Sequence, residues 1–164
     1  MTADLNVMEA IQVAMEAEET ARQFYLDAKE KVSDAEAQNL LVQLAAYEQY
    51  HYDNLAALYD SLSQEKGYVA YAPPDIDLGM ASHGLEGSRT SKEHNLESVV
   101  EILGMAIDAE KSARSRYKEL ADQTTDPEGR SMFQKLAQEE DTHYRILSDE
   151  LYHLSNRGLW IWSE

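Results

Sequence analysis

The stretch Leu44-Ala45-Ala46-Tyr47-Glu48-Gln49-Tyr50-His51-Tyr52-Asp53-Asn54-Leu55 decides the fold. Its apolar positions extend a seam with a 3–4 spacing, Leu41, Leu44, Leu55, Leu58 and Leu62, which is one face of a helix. Two positions of that seam are polar, Glu48 and His51. Residues three apart on a helix share a face, so this Glu-x-x-His pair can grip one ion. The pattern returns 92 positions later. Leu136-Ala137 meets Leu44-Ala45, Glu140 meets Glu48, His143-Tyr144 meets His51-Tyr52, and Leu147 meets Leu55.

Outward from this stretch the whole chain is an internal repeat. Ala17-Glu18 corresponds to Ala109-Glu110, Ala21-Arg22 to Ala113-Arg114, and Tyr25 to Tyr117. The periodic seams predict helices over 5–32, 34–65, 92–123 and 127–155, two in each half. Ser33 with Glu36, and Thr125 with Glu128, read as capping boxes at the two turns, and Asp126-Pro127 adds a second start signal. Four long helices with core-facing seams make an all-α four-helix bundle of two repeated helical hairpins. Pro73, Pro74, Gly79, Gly84 and Gly87 gather in the 28-residue connector 66–93. A helix of about 30 residues is about 45 Å long, and an extended connector of this size reaches farther. The connector is therefore expected to cross the length of the bundle, leaving the second and third helices parallel. The alternative is an insertion in an up-down-up-down bundle.

Six residues interrupt the seams as a set: Glu18, Glu48, His51, Glu110, Glu140 and His143. Glu18 and Glu48 each stand 15 residues from the turn at Ser33, and Glu110 and Glu140 each 15 from Thr125. Equal distances from a hairpin turn place all four carboxylates in one layer. Burying one unpaired carboxylate costs several kcal/mol, and four would rival the roughly 5–15 kcal/mol stability of a domain. No basic residue on the seams offsets them. Two divalent cations would, with two neutral imidazoles completing the ligand set. Mixed carboxylate and imidazole donors suit iron or manganese better than magnesium or a structural zinc. The competing reading is a metal-free layer of protonated carboxyls sharing hydrogen bonds. In the metal-free form the crowded carboxylates are expected to have raised pKa values.

The 164 residues suit one domain with one core, running over 1–164 with a tail at 156–164. A formal net charge of −17 argues against nucleic acid or an anionic membrane as partner. There is no cysteine, which excludes a disulfide framework and thiolate metal sites. The start, Met1-Thr2-Ala3-Asp4-Leu5, shows no secretory leader and no apolar run is long enough for a membrane span, so a cytoplasmic protein is expected. His83, His94 and His153 are expected at the surface, and Trp160 and Trp162 are expected to be buried, at a bundle end or in a subunit contact.

Ala17-Glu18-Glu19-Thr20-Ala21-Arg22 with Tyr25, Glu48-Gln49-Tyr50-His51, Ala109-Glu110 with Tyr117, and Glu140-Asp141-Thr142-His143 resemble the ferritin-like di-iron carboxylate proteins. Within them the chain is similar to the rubrerythrin-like group, over roughly 5–155. The resemblance implies a ferritin-like bundle holding two iron ions, with manganese or zinc as substitutes. It implies bridging roles for Glu48 and Glu140, or another pair of the four, and reaction of a di-ferrous site with H₂O₂ or O₂, as a peroxidase or a ferroxidase. It also implies that Tyr25 and Tyr117 hydrogen-bond site carboxylates or donate electrons; as plain sequence they are core tyrosines. Where a typical rubrerythrin has a further Glu three residues after its third-helix ligand, this chain has Ala113, leaving the plainer six-residue set also seen in bacterioferritin-like sites. Without cysteines for a rubredoxin module, electrons would come from an external donor or from Fe²⁺ itself. A homodimer or larger homo-oligomer is expected. The alternatives are an iron-handling protein without dedicated peroxidase turnover and a metal-stabilised structural bundle.

Overall fold

The structure, a computed structural model, describes residues 2–74, 88–89, 93–157 and 159–160, with side chains over 7–74 and 98–156. Four helices account for most of them: α1 Thr2–Lys31, α2 Ala35–Ser63, α3 Glu93–Gln123 and α4 Pro127–Arg157. A two-residue strand β1, Ser88–Arg89, pairs antiparallel with β2, Leu159–Trp160. Each predicted helix is present, with ends shifted by a few residues at most.

The helix starts correct one expectation. At α2 the cap is Asp34, extended at φ −76° and ψ 126°, whose carboxylate accepts from the amides of Glu36 and Ala37 at 3.0 and 3.3 Å. At α4, Asp126 Oδ1 accepts from the amides of Glu128 and Gly129 at 2.9 and 3.0 Å, with Pro127 opening the helix. The caps therefore sit one residue after Ser33 and Thr125. A carboxylate accepts from the exposed amides and also brings a negative charge to the positive end of the helix dipole, which a hydroxyl lacks.

The path of the chain after α2 fixes the topology. Glu65, at φ 57°, and Gly67, at φ 88°, are both left-handed, and Ser61 Oγ donates to the Gly67 carbonyl at 2.7 Å, turning the chain back on itself. Tyr68 lies against Gly129 at the α3–α4 turn. Farther along, Lys135 Nζ donates to the Tyr71 carbonyl at 3.2 Å and the Tyr50 hydroxyl donates to that of Ala72 at 2.6 Å. The chain thus leaves the end of α2 beside the start of α4 and climbs along α4, while β1, just before α3, pairs beyond the far end of α4. Helices α2 and α3 are parallel, α1 and α4 run the other way, and the connector is a crossover, as its length predicted. Residues 75–87 and 90–92 of it lie outside the described residues.

The core forms two apolar clusters with a polar layer between them. One gathers Val32, Leu40, Leu44, Leu103 and Leu147. The other gathers Ile11, Leu55, Leu58, Phe133 and Leu136. Along α2 the order is Leu44, Glu48, His51, Leu55, and along α4 it is Leu136, Glu140, His143, Leu147, so each helix passes from one cluster to the other through the polar layer. Cutting such a buried Leu to Ala costs about 2–5 kcal/mol, so the clusters hold the polar layer in a fixed frame. No helix among the described residues is long and apolar enough to cross a membrane. His153 is half-buried, edge-on to Tyr152. The side chains of His83, His94, Trp160 and Trp162 lie outside the described residues.

Candidate metal centre

All six predicted residues meet in the polar layer, none more than 2% exposed. They form two overlapping groups whose nearest donor atoms lie within 4.8 Å of one another: Glu18, Glu48, His51, Glu140, and Glu48, Glu110, Glu140, His143. Glu48 and Glu140 belong to both groups. Each imidazole turns Nδ1 inward. His51 Nδ1 lies 3.1 Å from Glu140, 3.4 Å from Glu48 and 3.7 Å from Glu18. His143 Nδ1 lies 3.1 Å from Glu140 and 3.5 Å from Glu110. The two rings stack at 5.9 Å.

The donor set fits metal. Glu48 Oε2, His51 Nδ1 and Glu140 Oε1 are buried yet make no hydrogen bond, whereas more than nine in ten buried polar groups in proteins do. Three such atoms in one layer, with carboxylate and imidazole chemistry, are the donors a pair of divalent cations takes.

The charges divide unevenly. Burial, then the charges of Glu140, Glu18 and Glu110, pushes the Glu48 carboxyl well above its usual range. Burial and Glu140 raise Glu110 to about 7, against the pull of His143. Glu140 goes the other way. Burial alone would raise it, but the facing imidazoles of His51 and His143 hold it well below the carboxylate range. The expectation that the crowded carboxylates are raised therefore fails for Glu140. The imidazoles are pushed up in turn, against burial: His51 well above its usual value by Glu140 and Glu139, and His143 to about 9 by Glu110 and Glu140. The expectation that no basic residue on the seams offsets the carboxylates is therefore corrected: with metal absent, the two imidazoliums supply counter-charge.

Tyr25 and Tyr117 are fully buried. Each reaches across to the other hairpin: the Tyr25 hydroxyl donates to Glu110, and the Tyr117 hydroxyl donates to Glu18. Burial and the neighbouring carboxylates push both hydroxyls well above 10, so both remain protonated donors. They are core tyrosines whose polar ends position site carboxylates.

Two residues beside the six were not anticipated. Glu139 Oε2 lies 2.7 Å from His51 Nε2 and accepts the Tyr71 hydroxyl at 2.5 Å. Glu139 lies off the apolar seam and Tyr71 lies in the aperiodic crossover. The one available signal is that position 139 matches Tyr47 in the repeat, not a second carboxylate.

Between α1 and α3 a cavity of about 470 Å³ reaches Glu18, Glu48 and Glu110. Small side chains open it, among them Ala17, Ala21, Ala109 and Ala113. Ala113 is the position at which the rubrerythrin pattern carries its further Glu. A larger cleft of about 880 Å³, beside Lys118, Gln138 and Arg145, contains none of the six residues.

Comparison with known proteins agrees with this architecture. A solved structure titled hypothetical protein Pfu-1136390-001, from Pyrococcus furiosus, is 24% identical and superposes with a TM-score of 0.72, covering 94% of this chain and 93% of that one. This likeness supports the fold. No curated protein matches. The rubrerythrin family model matches residues 1–59 and 101–157. These two segments hold most of both hairpins and both Glu-x-x-His pairs and leave out 60–100, and on that match the chain belongs to the rubrerythrin family, a ferritin-like family of di-iron carboxylate proteins.

Proposed function

We propose that the chain is a di-iron oxidoreductase that reacts a di-ferrous site with H₂O₂ or O₂. The observation that carries this reading is the sharing of Glu48 and Glu140 between two buried donor groups. Two ferrous ions held there would supply the two electrons that reduce a peroxide bond. Glu48 and Glu140, common to both donor groups, would hold both ions, with Glu18 and His51 serving one position and Glu110 and His143 the other. The Tyr25 and Tyr117 hydroxyls fix the terminal carboxylates of Glu110 and Glu18, limiting their rearrangement. The α1–α3 cavity admits a small oxidant past small side chains while the two apolar clusters keep bulk water from the rest of the layer. With no cysteine in the chain, reducing equivalents come from a separate donor or from further Fe²⁺.

A second reading, iron uptake and oxidation without sustained peroxide turnover, is favoured by Ala113, which leaves the plainer six-residue set. Anaerobic Fe²⁺ loading followed by H₂O₂ or O₂, with and without an external reductant, separates the two. Reductant-dependent peroxide consumption supports the first reading. Rapid oxidation of Fe²⁺ without sustained peroxide consumption supports the second. Absence of any colour change overturns both and leaves a structural bundle.

A further inference from the structure

The six inward residues match across the repeat, but what stands behind the two imidazoles does not. Behind His51, Nε2 lies 2.7 Å from Glu139 Oε2, and Glu139 in turn accepts the Tyr71 hydroxyl at 2.5 Å. This string is built in: Tyr71 is only 5% exposed, and its carbonyl is held by Lys135. Behind His143 the equivalent place belongs to Tyr47, whose ring packs edge-on against the imidazole at 4.7 Å. His143 Nε2 is buried and makes no hydrogen bond.

A carboxylate on the outer nitrogen of a ligating imidazole fixes its tautomer and orientation and makes the inner nitrogen a stronger donor. Loss of such a partner typically weakens metal binding about 10–100-fold. His51 has this support. The outer nitrogen of His143 makes no hydrogen bond.

On the reading that this site binds two ions, we propose that the two metal positions are unequal. The position served by His51 fills first and more tightly, the position served by His143 fills second, and Glu139 is the positioning residue that sets the order. Tyr71 contributes by holding Glu139 against His51, which places one end of the string on the crossover.

The test is titration of the metal-free full chain with Mn²⁺ under anaerobic conditions, by calorimetry and by electron paramagnetic resonance. The expected result is two ions per chain, bound in steps separated by about 10–100-fold. The signal of an isolated ion should dominate up to one equivalent, and the coupled-pair signal should grow with the second. Glu139→Gln should weaken the tighter step by about 10–100-fold, merging the two, and leave the weaker step in place as an internal control of folding. Tyr71→Phe should move the tighter step the same way by less. Two ions bound in one merged step by the unaltered protein overturn the proposed order alone. So does a Glu139→Gln protein in which both steps weaken equally or neither changes. A stoichiometry other than two overturns the two-metal reading, and the order with it.

Discussion

Tyr117, on α3, donates its hydroxyl to Glu18, on α1, a residue 99 positions earlier in the chain. Tyr25 on α1 returns the arrangement to Glu110 on α3. The lone Glu of each hairpin is thus held by a tyrosine of the other, and the polar layer helps to join the halves. Removing one hydroxyl leaves a buried carboxylate oxygen without its donor, which costs about 1–3 kcal/mol. Tyr117→Phe and Tyr25→Phe should each lower the stability of the metal-free protein by that amount in urea denaturation. A change below about 0.5 kcal/mol, the size of an ordinary surface substitution, would show that these bonds do not join the hairpins.

Stability should respond to pH in opposite directions with and without metal. Glu110 is raised from 4.5 to about 7, and a raised carboxyl contributes stability that is complete below 4.5 and lost as pH climbs through 7. His143, raised from 6.5 to about 9, contributes stability that is complete below 6.5 and lost as pH climbs through 9. Glu48 and His51 are raised and act in the same sense. Glu140 is lowered, so its contribution is lost only as pH falls below the ordinary carboxylate range. The metal-free protein should therefore lose melting temperature steadily from about pH 5 to about pH 9. With Mn²⁺ present the slope should reverse over the lower part of that range, because protons compete with metal for the same atoms. Parallel slopes in the two melting series would contradict this charge assignment.

Glu48 and Glu140 look equivalent in the repeat, yet their replacements should have opposite effects on the metal-free protein at neutral pH. Glu48→Gln removes a carboxyl that burial and three neighbouring carboxylates disfavour. It should stabilise by about 0.5–2 kcal/mol, the usual size of a stabilising substitution. Glu140→Gln strips both imidazoliums of their shared counter-ion and should destabilise by about 3–5 kcal/mol, the cost of breaking a buried ion pair. Each should abolish tight binding of two ions. Chelator-treated samples in a denaturant titration read the sign directly.

Gly129 gives the crossover its resting place. A Cβ there would stand 2.4 Å from two ring carbons of Tyr68 and 2.9 Å from Thr124 Cγ2, so the Tyr68 ring must shift. Gly129→Ala should cost about 1–3 kcal/mol through overpacking, even though alanine favours the helix. Hydrogen exchange should rise around residues 66–72 before it rises in α4. An unaltered exchange pattern would show that Tyr68 does not anchor the crossover.

The six inward residues were legible because a polar residue on a 3–4 apolar seam stands out, and because Glu48 and His51 have counterparts at Glu140 and His143. The parallel α2 and α3 were legible from the connector length alone. The caps were misplaced by one residue because Ser33-Asp34 and Thr125-Asp126 each put two capping residues side by side, and only geometry shows which oxygen reaches the free amides. Glu139 was not legible. One step off the seam, a glutamate ordinarily faces water, and this one turns inward toward His51 and the Tyr71 hydroxyl, supplied by a segment with no period to read. The opposite shifts of Glu48 and Glu140 were hidden for a related reason: both imidazoles turn toward Glu140, an arrangement that spacing does not reveal.

Because α1 and α3 point in opposite directions, the hairpins are related by a two-fold axis that passes across the bundle, through the polar layer. Two separate copies of one such hairpin, docked about the same axis, would already assemble both Glu-x-x-His pairs and both lone glutamates as an isologous homodimer. In such an ancestor every substitution would occur twice, and the surroundings of the two histidines would be identical by symmetry. Joining the copies through a crossover removes that constraint. Position 47 could then become an aromatic wall while position 139 became a carboxylate, and the linker itself could lend Tyr71 to one side. The long connection that the parallel helices demand is thus also what lets a duplicated scaffold surround its two histidines differently.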